Sequence, residues 1–369
     1  MNRIILVGNG FDLAHDLKTS YADFISWYWE QWGNRLIHGS HNVESDRLCS
    51  FRLSEDWKDY GWFNALGFLR RENPSYKWDA KFTVEVAKDN KDFCNFTFLS
   101  PFFKEICESV ETKGWVDIEN VFYKQLCQNI ISDDFPQQLN DELNIIKQDL
   151  IEYLLELQST TIAINEKIKN IIIEPFKDND ISVESMPIYL DFKRQISFTE
   201  NYTKYPGRIM MLNFNYTSLA DMYLPENNDD IVNHIHGSLS NPDSIIFGYG
   251  DELDENYKTI LNKNDNEYLR NIKSIKYLES PNYRKLLEFI ESAPYQIYIM
   301  GHSCGNSDRT LLNTLFEHKN CVSIKPFYHK KKDGSDNYID LVQNISRNFT
   351  DMKLMRDRVV NKTYCEPLS

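Results

Sequence analysis

The strongest constraint on the fold is a short run of apolar residues at the start of the chain. Residues 3–7 have the sequence RIILV and are followed directly by Gly8, Asn9 and Gly10. A strand with one face in solvent would alternate apolar and polar side chains, so a continuous run indicates a strand buried on both faces, as in a parallel sheet. Similar runs recur only after residue 205, at Ile209–Phe214, Ile231–Ile235, Ser244–Gly248 and Gln296–Met300.

Strands that alternate with helical segments favour a doubly wound α/β fold, in which helices cover both faces of a mostly parallel sheet. A last apolar run, Val322–Tyr328, contains Pro326, and because proline cannot donate to the ladder of a central strand we expect it at an edge. The sequence therefore predicts a Rossmann-type core formed by residues 1–20 and 206–350, with residues 351–369 as a C-terminal tail.

The segment between the first strand and the others, residues 21–205, has a different character. Apolar residues recur at spacings of three and four in Tyr21–Trp32, Trp115–Asn129 and Asp141–Ile173, which predicts helices. All seven tryptophans lie between residues 27 and 115. We therefore expect a large, aromatic-rich and mostly helical insertion after the first strand of the sheet.

Composition narrows the classes of function. The chain of 369 residues carries 55 Asp and Glu against 41 Lys and Arg, a formal charge of −14. Such a surface repels nucleic acid on average, so we expect no general nucleic-acid binding. No apolar run reaches the ~18–20 residues that a membrane span requires. Seven cysteines without a C-x-x-C pair predict reduced thiols and a cytoplasmic protein.

Glycine is scarce, with 14 residues, and several glycines lie at the ends of predicted strands. Gly8-Asn9-Gly10-Phe11-Asp12 lies between a strand and a helical pattern, where glycines let backbone N–H groups approach a phosphate. The third glycine of the dinucleotide fingerprint is absent because position 13 is Leu, so a plain tight turn is the alternative interpretation. Asp12 would repel a phosphate and better suits a ribose hydroxyl or a water molecule.

Two later motifs carry polar side chains at strand ends. Asn215, within Asn213–Thr217, offers an amide that can hold a ribose hydroxyl or orient water, and a simple Asn-rich turn is the alternative. His234 and His236 point the same way because side chains alternate along a strand. No third ligand lies at a useful spacing, so we expect no metal. His236, before Gly237, suits a general base, whereas His234 suits a core histidine.

The segment Gly301–Asp308 again follows a predicted strand and precedes a helix, and its glycines and serines suit a phosphate or a ribose. Helix capping by Ser307 or Asp308 is the competing interpretation. Cys304 suits a small buried side chain better than a nucleophile. Because the carboxyl ends of parallel strands meet at one edge, we expect these motifs to converge on a crevice large enough for a dinucleotide.

The opening segment Ile4–Phe24 (IILVGNGFDLAHDLKTSYADF) resembles the start of the AbiH family of bacterial phage abortive-infection proteins. Blocks similar to later parts of that family follow in the same order; they are Trp115–Glu119, Asn213–Thr217, His234–Leu239 and Gly301–Asp308. The same set also resembles a divergent sirtuin-type NAD-binding core. In that resemblance Asn215 corresponds to the catalytic asparagine, His236-Gly237 to the catalytic His-Gly pair, and Gly301–Ser303 to a loop that contacts ribose and phosphate.

The sirtuin resemblance implies NAD as the substrate, with clear departures. Thr217 stands where sirtuins carry Asp, Asp12 stands where they carry a small hydroxyl residue, and the zinc cysteines have no counterpart, which disfavours a deacetylase. The implied activity is hydrolysis of NAD to nicotinamide and ADP-ribose in phage defence. The implied catalytic residues are Asn215, His236 and Asp12, and the implied NAD-binding residues are Gly8, Asn9, Gly10, Phe11, Gly237, Gly301, His302, Ser303 and Asp308.

Two other classes of function stay open. The core can bind NAD or an ADP-ribose-type signal without hydrolysing it, as a sensor that controls an effector in the helical insertion. A nuclease-type toxin is the second alternative, although Asp117 and Glu119 are too few for a Mg²⁺ site of the nuclease kind. Besides a nucleotide, the partners to consider are a phage-derived trigger and a second copy of the chain, with no membrane partner.

Overall fold

The computed structural model describes residues 1–128, 135–158, 162–197, 204–224 and 229–368. The chain divides into two compact units: a core unit, Met1–Thr19 with Leu154–Ser369, and an inserted unit, Ser20–Tyr153. The sequence prediction placed the return to the core at residue 206, whereas the structure places it at Leu154. The difference arises because apolar side chains of the helix Glu166–Ile172 pack against the strands of the core unit.

The described residues contain eight strands: β1 Asn2–Val7, β2 Val43–Ser45, β3 Cys49–Leu53, β4 Cys94–Phe98, β5 Ile209–Asn213, β6 Ile231–His234, β7 Tyr295–Met300 and β8 Cys321–Phe327. They also contain the α-helices Asn9–Leu13, Tyr21–His38, Gly61–Glu72, Ala80–Asp89, Pro101–Lys113, Ile118–Gln128, Phe135–Gln158, Glu166–Ile172, Met186–Ser197, Glu255–Leu261, Lys273–Lys276, Asn282–Ser292, Arg309–Phe316, Tyr338–Arg347 and Met352–Arg358. Within this described part, no helix combines the length and the apolar character that a membrane crossing requires.

The core unit contains a five-stranded sheet in the order β6-β5-β1-β7-β8, in which every pair of neighbours is parallel. β1 lies at the centre, with Ile4 paired to Met210 of β5 and to Ile297 of β7. β8 forms one edge, which confirms the position that Pro326 predicted. The α/β class with a parallel sheet is therefore confirmed.

Successive residues of β1 pack into two different apolar clusters. Ile4 and Leu6 belong to a cluster that also contains residues of the helices Asn282–Ser292 and Arg309–Phe316. Ile5 and Val7 belong to a second cluster, which contains residues of the helix Glu166–Ile172. Because side chains alternate along a strand, the two clusters lie on opposite faces of the sheet. The continuous apolar residues Ile4–Val7 thus belong to a strand that is covered on both faces.

The prediction of a strand at Ser244–Gly248 is wrong. Pro242–Ser244 forms a short 3₁₀ turn, and no strand follows it in this segment. Residues 245–247 are buried all the same, and the N–H of Ile246 donates to the carbonyl of His236 at 2.9 Å. The segment is a buried loop that packs beyond the end of β6, and continuous apolarity does not distinguish such a loop from a buried strand.

The inserted unit combines its helices with a small antiparallel sheet in the order β2-β3-β4. These strands fall within residues 33–100, where the sequence shows no clear periodicity, because each has only three to five residues. Aromatic side chains form much of this unit's core; for example, the ring of Phe51 lies 4.8 Å from Trp32 and 6.4 Å from Trp62, centroid to centroid. The inserted unit is thus mostly helical, with a small antiparallel sheet that the sequence prediction did not include.

The helices predicted in the insertion are present with shifted ends. Tyr21–Trp32 extends to His38, and the pattern predicted for Asp141–Ile173 comprises two helices, Phe135–Gln158 and Glu166–Ile172. Residues 129 and 159–161, which two of these predictions include, lie outside the described residues.

Candidate active site

The predicted site residues lie at the carboxyl edge of the core sheet. β1 is flanked by β5 on one side and β7 on the other, so the chain leaves β1 at the point where the strand order reverses. Open α/β sheets bind ligands in the crevice outside such a switch point. The loops that follow β1, β5, β6 and β7 all end at this edge because the four strands are parallel.

The structure brings two of the predicted catalytic residues into direct contact. The side-chain amide of Asn215 donates to Asp12 Oδ1 at 2.8 Å and to the carbonyl of Gly8 at 3.0 Å. The hydroxyl of Thr217 donates to Asp12 Oδ2 at 2.8 Å. Thr217, which departs from the sirtuin pattern in the sequence, therefore acts together with Asn215 to hold the Asp12 carboxylate.

Asp12 is a titratable group close to neutral pH. Its side chain is buried, and burial raises the pKa of Asp12 from 3.8 to about 6, although the bonds from Thr217 and Asn215 favour the ionised form. A carboxyl group with such a pKa can both accept and release a proton under physiological conditions.

A second group of predicted residues surrounds Asp308. The Nε2 atom of His236 lies 3.2 Å from Asp308 Oδ1 and 3.2 Å from the hydroxyl of Tyr277. The ammonium of Lys273 donates to Asp308 Oδ1 at 2.8 Å. Burial and the Lys273 charge lower the pKa of His236 to about 4, so its imidazole is neutral at physiological pH. Asp308 is buried, but the charge of Lys273 holds its pKa well below its usual range.

His302 joins the same group from the β7 loop. Its Nδ1 accepts from the N–H of Cys304 at 3.0 Å, and its Nε2 lies 3.5 Å from Asp308 Oδ2. The ring of Phe214 lies 4.1 Å from the His302 ring and 5.1 Å from the His236 ring, centroid to centroid. Asp308 precedes the helix Arg309–Phe316, but its side chain caps no N–H of that helix. Its carboxylate contacts His236 and His302 instead.

The glycines that were predicted to approach a nucleotide lie against another loop of the same protein. A Cβ on Gly8 would lie 2.5 Å from the Cα of His302, and a Cβ on Gly301, which has φ of +79°, would lie 2.0 Å from the nitrogen of Phe11. Gly237 shows the same pattern, because a Cβ there would lie 2.2 Å from the carbonyl oxygen of Ser244. Only glycine fits at these positions, because the backbone of another segment occupies the space that a Cβ would need.

Hydrogen bonds within the core unit occupy the N–H groups of this first loop. Gly8 donates to the carbonyl of Met300 at 3.3 Å, Gly10 to Gly301 at 2.9 Å, and Phe11 to Gly8 at 2.8 Å. These are the N–H groups that a phosphate would need. The Phe11 ring is fully buried against Tyr223, while the exposed Asn9 accepts a hydrogen bond from Thr19 through its side chain.

A cavity of about 370 Å³ opens beside the loops that follow β1, β7 and β8. Four predicted residues line it, Gly10, Gly301, His302 and Ser303, whereas Asp12, Asn215 and His236 do not. Its volume lies in the range of small-molecule sites. The remaining lining residues are Leu13, Ala14, Phe327, Tyr328, His329, Asn337, Asp340, Leu341, Asn344 and Leu368.

Sequence reasoning missed several of these residues. Lys273 and Tyr277 come from a segment with no strand-end motif, and nothing local connects it to Asp308. The sequence does contain a pattern that could have indicated the cavity lining. Asp340 and Asn344 are four residues apart on the helix Tyr338–Arg347 and therefore share one face. In the part of the chain that the structure describes, no group of three or more His, Cys, Asp or Glu side chains could hold a metal ion.

The order of the parallel strands, and the polar side chains at the sheet edge where that order reverses, define a Rossmann-type α/β protein with an inserted unit. A sequence model of the family described as "Bacteriophage abortive infection AbiH" matches residues 4–329. The chain therefore belongs to the AbiH family, and this membership gives it a role in bacteriophage abortive infection. Comparisons with curated proteins and with solved structures gave no match.

The contact between the two loops can be tested with a pair of glycine substitutions. Gly301 and Gly334 both have a positive φ, but only Gly301 is surrounded by backbone atoms; a Cβ on Gly334 would meet nothing within 4 Å. We expect Gly334→Ala to cost about 1–2 kcal/mol from the left-handed backbone alone. Gly301→Ala should cost at least about 2 kcal/mol more, because the loops must separate. Urea unfolding followed by circular dichroism measures both, and equal costs would contradict the packing argument.

The raised pKa of Asp12 predicts a pH-dependent effect of Asp12→Asn. Between pH 3.8 and about 6, the folded wild type binds more protons at Asp12 than the unfolded chain, so its stability falls as the pH rises. The Asp12→Asn variant does not lose stability in this way, because asparagine does not titrate. Its stability relative to the wild type should therefore increase across this window by up to about 3 kcal/mol and then level off.

His236 does not disturb this measurement. Its lowered pKa makes both proteins gain stability as the pH rises from about 4 to 6.5, and the contribution cancels in the difference. Unfolding free energies of the two proteins at pH 4, 5, 6, 7 and 8 test the prediction, and a difference that does not change with pH would show that Asp12 titrates normally.

Proposed function

We propose that this protein acts in abortive infection by hydrolysing NAD to nicotinamide and ADP-ribose at the carboxyl edge of β1. The observation that carries the proposal is the buried Asp12 carboxylate held by Asn215 and Thr217. Loss of nicotinamide leaves a cationic ribosyl centre, so the reaction needs a positioned negative charge more than a strong nucleophile. Above its pKa of about 6, Asp12 supplies such a charge.

In this proposal Asp12 also accepts the proton of the attacking water. A general base works best when its pKa lies near the working pH, and Asp12 meets this condition better than His236, whose pKa is near 4. Asn215 uses its amide hydrogens on Asp12 and Gly8, which leaves its side-chain oxygen to accept from a water or a ribose hydroxyl. His236 contributes a neutral imidazole that hydrogen-bonds a second ribose hydroxyl.

The cavity beside β7 and β8 suits the remaining nucleoside of the substrate. Ser303, Asp340 and Asn344 provide polar groups for ribose hydroxyls, and Leu13 and Leu341 provide apolar surface for a base. A carboxylate at Asp340 also disfavours a phosphorylated ribose, because like charges repel. NAD therefore fits these lining residues better than NADP does.

A ligand sensor is the second candidate, and a specific observation favours it. Asp12 and Asn215 do not line the cavity, and the N–H groups of Gly8 and Gly10 are already bonded to carbonyls. A nucleotide could then occupy the cavity without contact between its ribosyl carbon and Asp12. Binding of NAD without release of nicotinamide distinguishes this candidate from the enzyme.

The proposal is tested by incubating the purified chain with NAD and separating nicotinamide and ADP-ribose by chromatography. We expect both products to accumulate, and we expect Asp12→Asn, Asn215→Ala and His236→Ala each to slow their release about 10²–10⁴-fold. Asn256→Ala, a substitution of an exposed asparagine in the helix Glu255–Leu261, is the matched control and should leave the rate unchanged.

Each other outcome of this experiment has a defined meaning. Nicotinamide release that persists in Asp12→Asn and Asn215→Ala would contradict the assigned roles and indicate a contaminating hydrolase. NAD binding measured by calorimetry, with no release of nicotinamide from wild type, would favour the sensor. Absence of both binding and release would contradict the two candidates together.

A further inference from the structure

We propose that Asn213, held in orientation by His234, is the positioning residue for the Asp12 carboxylate. Neither side chain touches Asp12; each acts through the loop that carries Asn215 and Thr217. The importance of this arrangement for catalysis rests on the proposed function, whereas its effect on Asp12 does not.

Asn213 ends β5 and has no exposed surface. Its side-chain oxygen accepts from the backbone N–H of Asn215 at 3.0 Å, and its amide donates to the backbone carbonyl of Thr217 at 3.1 Å. One buried side chain thus binds the backbone of both residues whose side chains bind Asp12. The two bonds fix the loop between residues 213 and 217 at both of its ends.

His234 determines which way the Asn213 amide points. The two residues are register partners in the neighbouring strands β5 and β6, and the Asn213 amide nitrogen lies 3.3 Å from His234 Nδ1. The other imidazole nitrogen, Nε2, lies 3.0 Å from Asp221 Oδ1. The carboxylate accepts a hydrogen bond there, so Nε2 carries the hydrogen and Nδ1 accepts from Asn213. A flipped amide would set oxygen against the Thr217 carbonyl.

These contacts form one chain of hydrogen bonds with a consistent direction. His234 donates to Asp221, Asn213 donates to His234 and to Thr217, and Asn215 donates to Asn213 and to Asp12. Loss of Asn213 releases the loop, and Asp12 then loses donors that favour its ionised form. The expected consequence is that protonated Asp12 is favoured over a wider pH range.

The neighbouring strand offers a matched control. Asn233 is buried like Asn213, and its side chain also donates to a backbone carbonyl, that of Asn282 at 2.8 Å. It pairs with Leu212, one register position before the pair formed by Asn213 and His234. Because side chains alternate along a strand, Asn233 points to the opposite face of the sheet from His234. Asn233→Ala therefore removes one bond to a backbone carbonyl and leaves the side-chain bonds of Asn213, His234, Asn215 and Thr217 in place.

The test is a double-mutant cycle between positions 213 and 12, measured by hydrogen exchange of the β1 amides in the full chain. Asn213→Ala is compared in the wild type and in Asp12→Asn at pH 8 and pH 5, after correction for intrinsic exchange rates. At pH 8 we expect Asn213→Ala to reduce protection at least about tenfold more in the wild-type background than in the Asp12→Asn background, equivalent to about 1.4 kcal/mol. At pH 5, where Asp12 is mostly protonated, the coupling should shrink.

Asn233→Ala should show no coupling to position 12 at either pH. Additive effects of Asn213→Ala and Asp12→Asn at pH 8, or equal coupling at both pH values, would overturn the proposal. If Asn213→Ala does not fold, His234→Ala, which removes the acceptor of the Asn213 amide together with the bond to Asp221, should show a weaker coupling of the same sign, and its absence would also overturn the proposal. None of these measurements requires NAD hydrolysis. If the protein does not hydrolyse NAD, that result contradicts the proposed function only.

If NAD is hydrolysed, the rate provides a second readout. Asn213→Ala should move the acidic limb of the kcat profile to higher pH, and Asn233→Ala should leave the limb in place. An unchanged limb in Asn213→Ala would overturn the positioning role in catalysis.

Discussion

The close contact between the loops after β1 and β7 determines the arrangement of the carboxyl edge. No side chain fits at Gly8 or Gly301, because the backbone of one loop lies against the backbone of the other. Parallel pairing of β1 with β7 brings both loops to one edge, and the N–H of Gly10 bonds to the carbonyl of Gly301. With the first loop fixed, the helix Asn9–Leu13 presents Asp12 to the β5 loop and Gly10 to the cavity.

Two carboxylates at this edge show how partners decide protonation when burial is similar. Asp308 has the ammonium of Lys273 at 2.8 Å, and this charge keeps its pKa well below the usual range. Asp12 receives its hydrogen bonds from the neutral groups of Asn215 and Thr217, which offset burial only in part, so its pKa rises to about 6. One edge therefore carries an ionised carboxylate and a titratable one, a separation typical of acid–base sites.

Sequence patterns predict the features that depend on neighbours along the chain. The buried strand β1, the edge position of Pro326 and the polar strand ends follow from periodicity and from the rule that parallel strands share an edge. Lys273 does not follow, because its contact with Asp308 joins segments that no local pattern relates. The glycines are a subtler case: Gly8 and Gly301 indicate close approach, but a sequence cannot tell whether a ligand or another loop fills the space.

The contact between the loops after β1 and β7 also affects how the proposed reaction would proceed. Gly10 and Leu13 of the helix Asn9–Leu13 line the cavity, whereas Asp12 of the same helix bonds to the β5 loop, so in the proposed reaction a dinucleotide would extend along the loop after β1. There the N–H groups of Gly8 and Gly10 bond to neutral carbonyls. A diphosphate is a stronger acceptor than a carbonyl because the hydrogen bond is charge-assisted. Exchange of these bonds for diphosphate oxygens would separate the two loops, so substrate binding and release of the loop contact are one step in this proposal.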